Sequence, residues 1–446
     1  MKIQNLLTEE RLQKCRENRY AEREELFSTV ASEIGEEGVS ELRKLYSLYD
    51  EGLYLWYASL YDPKIGGFYF SGSARDTKGF LPDIESTVQA LCCFERVGLL
   101  SATGESCYGK AIKGELREKL VSFTKSLQDP ENGYFYHPQW GRRVVVSRRG
   151  RDLGWSTSLL ESFGERPIYR TPLELGEDGK KSQSLPEHLQ SLEVFKKYLS
   201  EFDFVTKSYW SGNMLQSQVG QIKAAGEEFV DALFEHLAAR QRPDNGLWEP
   251  QINYASVNGL MKLGLMYTTL SRPLPYAERA LESAVAAALS KQEIVFCCQF
   301  YNPLTTIVTI LNNIKKFDSP ERAEELRRII VRSAPELLRA TKRKVELCRK
   351  PDGSFSYNPE GASRLSQKAP VGLGYHDEGD VNATSICSNG VMRSVANILG
   401  LPRVGLFGTE DSQLFLELLE NASEYPKINE KPDWFDSCLV EEGTVW

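Results

Sequence analysis

Histidine is scarce in this sequence, and the motifs that commonly hold metal ions are missing. Four histidines occur among 446 residues, with no Cys-x-x-Cys pair and no His-Glu-x-x-His motif. Zinc sites in proteins are built mainly from Cys and His side chains at such spacings. We therefore expect neither a metal site nor a cofactor.

Long apolar runs are also missing, and the cysteines are odd in number. No stretch reaches the ~20 consecutive apolar residues of a membrane-spanning helix, so we expect no membrane association. Residues 1–25 lack the apolar core of a signal peptide and are typical of an amphipathic helix. The nine cysteines are scattered and lie mostly in apolar segments, which is typical of buried free thiols in a reducing compartment. These features predict a cytoplasmic protein.

Positive charge is in deficit over the chain as a whole. The formal net charge is −8, and binding to nucleic acid needs clustered Lys and Arg, so we expect no nucleic-acid partner. One local basic run, residues 142–151, contains five arginines. It is either a solvated loop or a clamp for an anionic substrate group, since guanidinium pairs with carboxylate or phosphate in a bidentate way.

What the sequence does contain is a repeated turn. In four segments a cluster of Pro, Asp or Asn leads to Gly and then to an aromatic residue; they are residues 62–69, 129–135, 244–248 and 352–355. Such a cluster ends a helix, glycine permits the reversal, and the aromatic ring anchors the loop. The glycines lie 66, 113 and 107 residues apart, and the longer gaps are each close to two periods of ~55 residues.

Helical segments fill the two long gaps. Residues 186–204 and 211–216 form one further pair, and residues 276–290 and 300–314 form another. Charged outer helices, such as 320–349, thus alternate with small apolar inner helices, such as 257–269 and 384–399. No long run of alternating β-branched residues competes with this pattern. We predict an all-α fold, an (α/α)6 toroid of six inner and outer helix pairs with one central pocket.

The predicted organisation is a single toroid domain over residues 1–446. An N-terminal helix occupies 1–36, the six helix pairs occupy 37–400, and a C-terminal helix and tail occupy 401–446.

Three predicted inner helices begin alike. Asp83, Asp152 and Asp380 are each followed by an aliphatic residue and, four positions on, by Ser or Thr, and Gln251 begins a weaker version. Asp is a favoured N-cap, so capping alone would account for each carboxylate. In an α/α ring, however, the N-terminal ends of all inner helices meet at one face. There the same carboxylates would surround a common cavity.

The repeat resembles that of squalene cyclases and prenyltransferases and, more broadly, the α/α toroid enzymes, which include many glycoside hydrolases and polysaccharide lyases. The resemblance rests on residues 123–134 and 237–248, where Gln128 and Gln241 at the end of an outer helix precede Gly and an aromatic residue. It implies the toroid fold and leaves the reaction open, because one fold hosts many chemistries.

The densest polar cluster is residues 374–382. It is either a solvated acidic turn with an N-cap or a catalytic loop in which crowded carboxylates raise one another's pKa. Glu85, in the first turn of its helix, would supply the second carboxylate of an acid and base pair. The catalytic candidates are therefore Asp83, Glu85, His376, Asp377, Glu378 and Asp380.

Aromatic and polar residues gather on the loops that lead to the inner helices. Amphipathic rings stack on sugar faces, although the same rings could serve only to anchor the repeats. The substrate-binding candidates are Arg75, Tyr136, His137, Trp140, Asp152, Trp155, Trp248, Tyr254, Tyr375 and Asn382.

The leading functional hypothesis is an intracellular glycoside hydrolase that acts on an oligosaccharide with a carboxylate pair in the central cavity. In a lyase variant, Tyr136 and His137, or Tyr375 and His376, would take the proton next to a uronate carboxylate while arginines neutralise that carboxylate. The alternatives are a terpene cyclase or prenyl-transfer enzyme, although no Asp-x-Asp-Asp motif is present, and a non-catalytic binding toroid. The substrate and the oligomeric state stay open.

Overall fold

The computed structural model describes residues 5–175 and 179–445, which are mostly helical. The α-helices in this part of the chain are α1 (Glu9–Ser28), α2 (Ala31–Tyr46), α3 (Glu51–Leu60), α4 (Gly72–Arg75), α5 (Ile84–Val97), α6 (Tyr108–Ala111), α7 (Gly114–Ser126), α8 (Val146–Ser162), α9 (Leu192–Ser200), α10 (Ser208–Gln216), α11 (Val219–Ala225), α12 (Glu227–Ala238), α13 (Tyr254–Thr269), α14 (Ala277–Leu289), α15 (Cys298–Phe317), α16 (Pro320–Val331), α17 (Ala334–Cys348), α18 (Val381–Ser385), α19 (Val391–Leu399) and α20 (Thr409–Glu420). A π-turn, Ile386–Gly390, joins α18 to α19, and short 3-10 turns occupy Ser101–Thr103, Glu187–Leu189 and Asp436–Cys438.

Two short antiparallel hairpins complete the described secondary structure. Strands β1 (Tyr61–Asp62) and β2 (Gly67–Phe68) pair Asp62 with Gly67, and strands β3 (Leu365–Ser366) and β4 (Ala369–Pro370) pair Ser366 with Ala369. In the described residues, no helix is both long enough and apolar enough to cross a membrane.

The inner helices close into a ring, which confirms the predicted all-α toroid. In order around the ring, α5 packs against α8, α8 against α11, α10 against α13, α13 against α15, α15 against α19, and α18 against α5. The helix preceding each inner helix in the repeat, α3, α7, α9, α12, α14 and α17, forms the outer layer. Helix α1 packs on α20, α20 on α3, and α2 on α17.

The repeated turns have the structure that the sequence predicts for them. Gly133 and Gly246 adopt positive φ angles of 73° and 70°, a conformation that residues with a Cβ rarely take. The space is equally restrictive, because a Cβ at Gly246 would lie 2.3 Å from the backbone nitrogen of Ala280. The anchoring rings of the four turns, Phe68, Tyr134, Trp248 and Phe355, are all buried.

Two glutamines hold equivalent turns in the same way. The Gln128 side-chain amide donates to the carbonyl oxygens of Gly133 (3.2 Å) and Tyr169 (2.8 Å). The Gln241 amide donates to those of Gly246 (2.9 Å) and Pro275 (2.8 Å). Each glutamine thus ties its own turn to the loop that follows the next inner helix, so this part of the repeat is structural.

The caps of the inner helices agree with the sequence in two of three cases. The carboxylates of Asp83 and Asp380 accept hydrogen bonds from the amides of Ser86 (3.0 Å) and Ala383 (2.8 Å) and so cap α5 and α18. Asp152 is not a cap, because α8 already begins at Val146 and Asp152 lies in its second turn. The arginine-rich segment extends the helix toward its N-terminus, which the Asp-based pattern did not predict.

Two further boundaries differ from the sequence prediction. The predicted outer helix 320–349 is divided into α16 and α17 at Arg332 and Ser333. The weaker start at Gln251 is replaced by a capping box at α13, in which Asn253 and Ser256 exchange hydrogen bonds of 3.0 and 3.1 Å. Asparagine is as good an N-cap as aspartate, so the physical role is conserved while the position shifts by two residues.

Candidate functional site

A cavity of about 630 Å³ lies at the centre of the ring. The inner helices of all six pairs contribute side chains to its wall, which is the arrangement expected of a toroid pocket. The contributing side chains are Gln89 and Cys92 of α5, Arg151 and Trp155 of α8, Tyr209, Trp210, Asn213 and Gln216 of α10, Met261, Lys262 and Leu265 of α13, Cys298, Tyr301, Asn302, Thr305 and Thr309 of α15, and Asn382, Ser385, Ile386, Asn389 and Arg393 of the α18–α19 segment. Loop residues, among them Phe70 and Tyr357, complete the wall.

The tip of the β3–β4 hairpin also lines the cavity. Its turn residues Gln367 and Lys368 have φ angles of 48° and 63°, so both occupy the left-handed region without being glycine. Neighbouring groups fix this tip: the Ser147 hydroxyl donates to Gln367 Oε1 (3.0 Å), and the Ser366 hydroxyl donates to Glu85 Oε2 (2.8 Å). Unfavourable backbone conformations that surrounding contacts over-determine are typical of functional sites.

The π-turn inside the sixth inner helix lies at the same cavity. Ile386, Asn389 and Gly390 belong to this turn, and all three line the wall. A π-turn inserts extra backbone into a helix and changes where the following side chains point. Such turns are frequent at functional sites.

A buried ionic cluster, the Arg148 cluster, stands beside the cavity. The cluster consists of Arg148 and three carboxylates. The guanidinium of Arg148 contacts Glu85 (2.9 Å), Asp152 (2.9 Å) and Asp83 (3.3 Å), and its side chain is fully buried. The ring of Trp140 lies 5.0 Å from the guanidinium carbon. A lone buried arginine would be very unfavourable, and three carboxylates around it compensate its charge.

Glu85 connects the Arg148 cluster to the cavity wall, although it does not line the cavity itself. Its other oxygen contacts Arg151, a lining residue, at 3.1 Å. Burial opposes its ionisation, but the charges of Arg151 and Arg148 prevail and hold the pKa of Glu85 below its usual value. Glu85 is therefore an ionised, fully paired carboxylate whose evident task is to position two arginines.

Asp152 and Asp83 behave differently from Glu85. Burial raises the pKa of Asp152 to about 7, although Arg148 pulls it down. Burial likewise raises the pKa of Asp83, against the opposing charge of Arg148. Neither side chain is among the described residues that line the cavity.

The acidic segment predicted to be catalytic is divided by the fold. Asp377 and His376 are exposed, and Glu378 accepts hydrogen bonds from the Ser73 amide (2.6 Å) and hydroxyl (2.7 Å). The Asp380 carboxylate turns inward and accepts from the amides of Tyr357 and Ser363, both at 3.1 Å. None of these four side chains lines the cavity in the described structure.

Asp380 nonetheless lies directly behind the wall. Tyr357 and Ser363, whose amides it binds, are both lining residues. Burial raises the pKa of Asp380 to about 7, although the three backbone hydrogen bonds favour its charged form. Its predicted catalytic role stays a prediction.

Of the predicted substrate-binding residues, Trp155 and Asn382 line the cavity. The others lie elsewhere. Arg75 stacks on Tyr425 and pairs with Asp76, and Tyr136, His137 and Trp140 are buried beside the arginine-rich start of α8. Trp248 and Tyr254 are buried and donate to the carbonyls of Leu237 and Ser290, whereas Tyr375 is exposed beside Trp434 in a separate groove. Repeat anchoring accounts for Trp248, and ion pairing accounts for Arg75. The predicted substrate-binding role of the residues outside the cavity stays a prediction.

A second polar group in the wall was missed by the sequence analysis. Lys262, Cys298, Tyr209 and Tyr357 meet where α10, α13 and α15 pack together. Tyr357 Oη lies 3.8 Å from Cys298 Sγ. Burial and the charge of Arg151 lower the pKa of Lys262 to about 8.

A sequence signal for this wall does exist. The lining residues of α15 recur at 298, 301, 302, 305 and 309, and those of the last inner helix at 382, 385, 386, 389 and 393. These spacings of three and four mark one helical face. A polar stripe on an otherwise apolar inner helix therefore identifies the cavity better than the caps do. Among the described residues, no group of three His, Cys, Asp or Glu side chains is arranged to hold a metal ion.

Comparisons with known proteins yield little. No protein-family model matches the chain, and no curated protein does. Two solved structures are similar, both of variants of the type II terpene cyclase MstE from Scytonema. One is bound to its substrate, geranylgeranyl dihydroxybenzoate, at 13% identity and a TM-score of 0.40. The other is bound to the product merosterolic acid A, at 13% identity and a TM-score of 0.38.

Each alignment covers 81% of this chain and 99% of the cyclase chain.

Proposed function

We propose that this protein is an enzyme that binds a small organic anion in its central cavity. One observation carries the proposal: the charged side chains lining the cavity, Arg151, Lys262, Lys368 and Arg393, are all basic. Within the described residues, no acidic side chain lines it. This is notable in a chain with a net charge of −8, since a positive concave surface concentrates anions.

The basic groups come from separate elements and surround the space. Arg151 belongs to α8, Lys262 to α13, Lys368 to the β3–β4 tip and Arg393 to α19. Glu85 orients Arg151 from behind the wall at 3.1 Å. Burial and the charge of Arg151 lower the pKa of Lys262, and a bound anion would favour its charged form.

Aromatic rings favour an unsaturated hydrocarbon as the rest of the substrate. Phe70, Trp155, Tyr209, Tyr301 and Tyr357 line the cavity. Ring faces bind apolar chains and stabilise cationic carbon through cation–π attraction. The first candidate is therefore a terpene-cyclase-like reaction on an isoprenoid chain that carries a carboxylate or a diphosphate.

Amide side chains favour a second candidate. Asn213, Gln216, Asn302, Asn382 and Asn389 also line the cavity, and such groups suit the hydroxyls of a sugar. An oligosaccharide containing uronate would place its carboxylate on the basic groups. Elimination next to that carboxylate would use a tyrosine or a partly neutral lysine as the base.

Hydrolysis by a pair of Glu85 and Asp380 is not part of the proposal. A general acid must hold a proton and reach the scissile bond. Glu85 is held ionised by Arg148 and Arg151, and neither carboxylate lines the cavity.

The test starts from the purified protein and two substrate panels. Prenyl diphosphates and prenylated benzoates are followed by mass spectrometry for cyclised products, and uronate oligosaccharides by the ultraviolet absorbance of an unsaturated product. We expect turnover in one panel, at least tenfold lower in Lys262→Met and Arg393→Met, because each removes an anion contact of about 1.4 kcal/mol or more. Arg339→Met, on the outer surface, is the matched control.

Two results would oppose the proposal. Equal activity in the cavity variants and the control would show that the basic side chains of the cavity do not bind the substrate anion. Saturable binding of these anions without turnover in either panel would favour the non-catalytic toroid over an enzyme.

A further inference from the structure

A second, smaller cavity, the side pocket, borders the central one between α8 and α11. It measures about 350 Å³, and the side chains of Arg151, Trp155 and Gln216 line both spaces. The rest of its lining is two serines, three glycines and the side chains of Leu153, Leu173, Val219 and Gln221. Among the described residues that line it, Arg151 alone carries a charge. The side pocket is therefore a largely apolar extension on one side of a basic cavity.

Glycines keep the side pocket open. Gly150 and Gly154 of α8 and Gly220 of α11 line it, and glycine inside a helix is unfavourable unless space or conformation requires it. A Cβ at Gly150 would lie 2.6 Å from Gln221 Oε1, so α8 needs a glycine there to approach α11. A Cβ at Gly154 would meet nothing within 4 Å. The fold thus has room for a side chain at residue 154 and leaves that room empty.

An unpaired amide in the wall of the side pocket indicates a ligand. Gln221 is 1% exposed, and its Nε2 donates to the Tyr134 hydroxyl at 2.6 Å. That hydroxyl has one proton, which it donates to the Ser184 carbonyl at 3.2 Å, so the Nε2 of Gln221 faces Tyr134 and its Oε1 faces away. Gln221 Oε1 has no hydrogen-bond partner within residues 5–175 and 179–445. Because buried polar atoms are nearly always paired, this oxygen awaits a donor on another molecule.

Trp155 supplies an unpaired donor at the border of the two spaces. Its ring lines both, and its buried Nε1 has no partner in the part of the chain that the structure describes. An unpaired acceptor on Gln221 and an unpaired donor on Trp155 both suit a hydroxyl group, which donates one hydrogen bond and accepts others.

We infer that the side pocket takes the aliphatic part of the anion that the central cavity binds, and that this part carries a hydroxyl group. The anionic group lies on the basic side chains of the central cavity, with Arg151 at the border, and the hydroxyl donates to Gln221. If a methylene needs about the 30 Å³ of a water molecule, the side pocket holds roughly ten of them. This inference rests on the proposed function and names the class of anion, a hydroxylated aliphatic acid, which favours the isoprenoid candidate over the oligosaccharide.

The first experiment varies the length of the chain. Isothermal titration calorimetry on the full-length protein measures the binding of straight-chain acids of four to fourteen carbons and of their methyl esters, which lack the charge. We expect the affinity in both series to rise about fourfold per added methylene until the side pocket is full, because each methylene leaves water. The acids should bind more tightly than the esters, since only they pair with the basic side chains.

Gly154→Leu tests where the chain lies. A leucine there would occupy the side pocket, so the affinity for the ten-carbon acid and ester should fall at least tenfold, while that for the four-carbon compounds should stay unchanged. Leucine also favours a helix more than glycine does, so the melting temperature should not fall. Glu161→Leu is the matched control, because Glu161 is exposed on the same helix and lines neither space.

The second experiment locates the hydroxyl. Ten-carbon acids that carry a hydroxyl at successive positions are compared with the plain acid. We expect one position to bind about threefold to tenfold more tightly, which is the net effect of one hydrogen bond. Gln221→Met should abolish that preference and change the affinity for the plain acid less than about twofold.

Three outcomes would count against these assignments. Affinity that does not rise with chain length, or that falls equally in Gly154→Leu and Glu161→Leu, would overturn the side pocket as the chain site. Equal affinity for the plain acid and every hydroxylated acid would overturn the hydroxyl and show that water pairs with Gln221. Acids that bind no more tightly than their esters, with the effect of Gly154→Leu intact, would contradict the proposed anion site alone.

Discussion

Replacing Arg148 with methionine tests the buried Arg148 cluster. The guanidinium is in contact with three carboxylates at 2.9, 2.9 and 3.3 Å, and its side chain is fully buried. Methionine fills much of the same volume without the charge. Asp83, Glu85 and Asp152 would then face one another with only Arg151 to compensate Glu85.

The expected loss is large and depends on pH. Removing one partner of a buried ion pair typically costs about 3–5 kcal/mol, because the other charge stays behind uncompensated. With an unfolding entropy of about 2.1 cal/mol/K per residue, 446 residues correspond to about 0.9 kcal/mol/K, so the melting temperature should fall by about 3–5 °C.

The pH dependence has a definite sign. In the variant, burial raises the carboxyl pKa values above those of the unfolded chain, so the folded state binds more protons than the unfolded state. The stability of Arg148→Met should therefore rise relative to the parent protein as the pH falls from 8 to 5.

Urea unfolding at pH 5 and pH 8, followed by circular dichroism, measures both effects. Arg339→Met is the control, since Arg339 also contacts two carboxylates, at 2.7 and 3.3 Å, but on the surface. We expect the control to change the midpoint little at either pH. A loss in Arg148→Met no larger than in the control, or one that is equal at pH 5 and pH 8, would refute the reasoning.

Three further predictions concern stability. Gln128→Ala and Gln241→Ala should each lower the unfolding free energy by about 1–3 kcal/mol and add in the double variant, because they remove equivalent hydrogen bonds in separate repeats; a urea titration of the four proteins checks additivity. Burial lowers the pKa of His188 to about 4, so the stability difference between the parent and His188→Gln should be greatest above pH 6.5 and shrink by roughly 3 kcal/mol by pH 4; a pH-independent difference would contradict this. Tyr276 holds a φ of 49° at an exposed helix start, so Tyr276→Asn should raise the unfolding free energy by about 0.5–1 kcal/mol, and a lower thermal midpoint would count against it.

The architecture was predictable because it follows from local chemistry that repeats. Gly133 and Gly246 sit in turns that only glycine accommodates, and the ring after each of them must be buried. The apolar inner helices then have to pack against one another. A period of this kind predicts the number of helix pairs without any knowledge of which helices touch.

The site was less predictable, because carboxylates stand out in a sequence whether or not they reach a cavity. Glu85 and Asp380 were chosen for their places near helix starts, yet Glu85 is paired with Arg148 and Arg151, and Asp380 is bound by backbone amides behind the wall. The partners of Glu85 lie about one repeat away along the chain. Nothing in the local pattern around Glu85 announces them.

The sequence by itself determined the helical repeat, the position of its turns and the caps at Asp83 and Asp380, since each depends on residues within one turn of each other. Only the tertiary structure decided which side chains share the cavity. Lys262 and Cys298 lie on different helices and meet because α13 packs on α15. Ring closure also decided the charge of the site: it placed Asp83, Glu85 and Asp152 around the buried Arg148 and left basic side chains lining the central cavity.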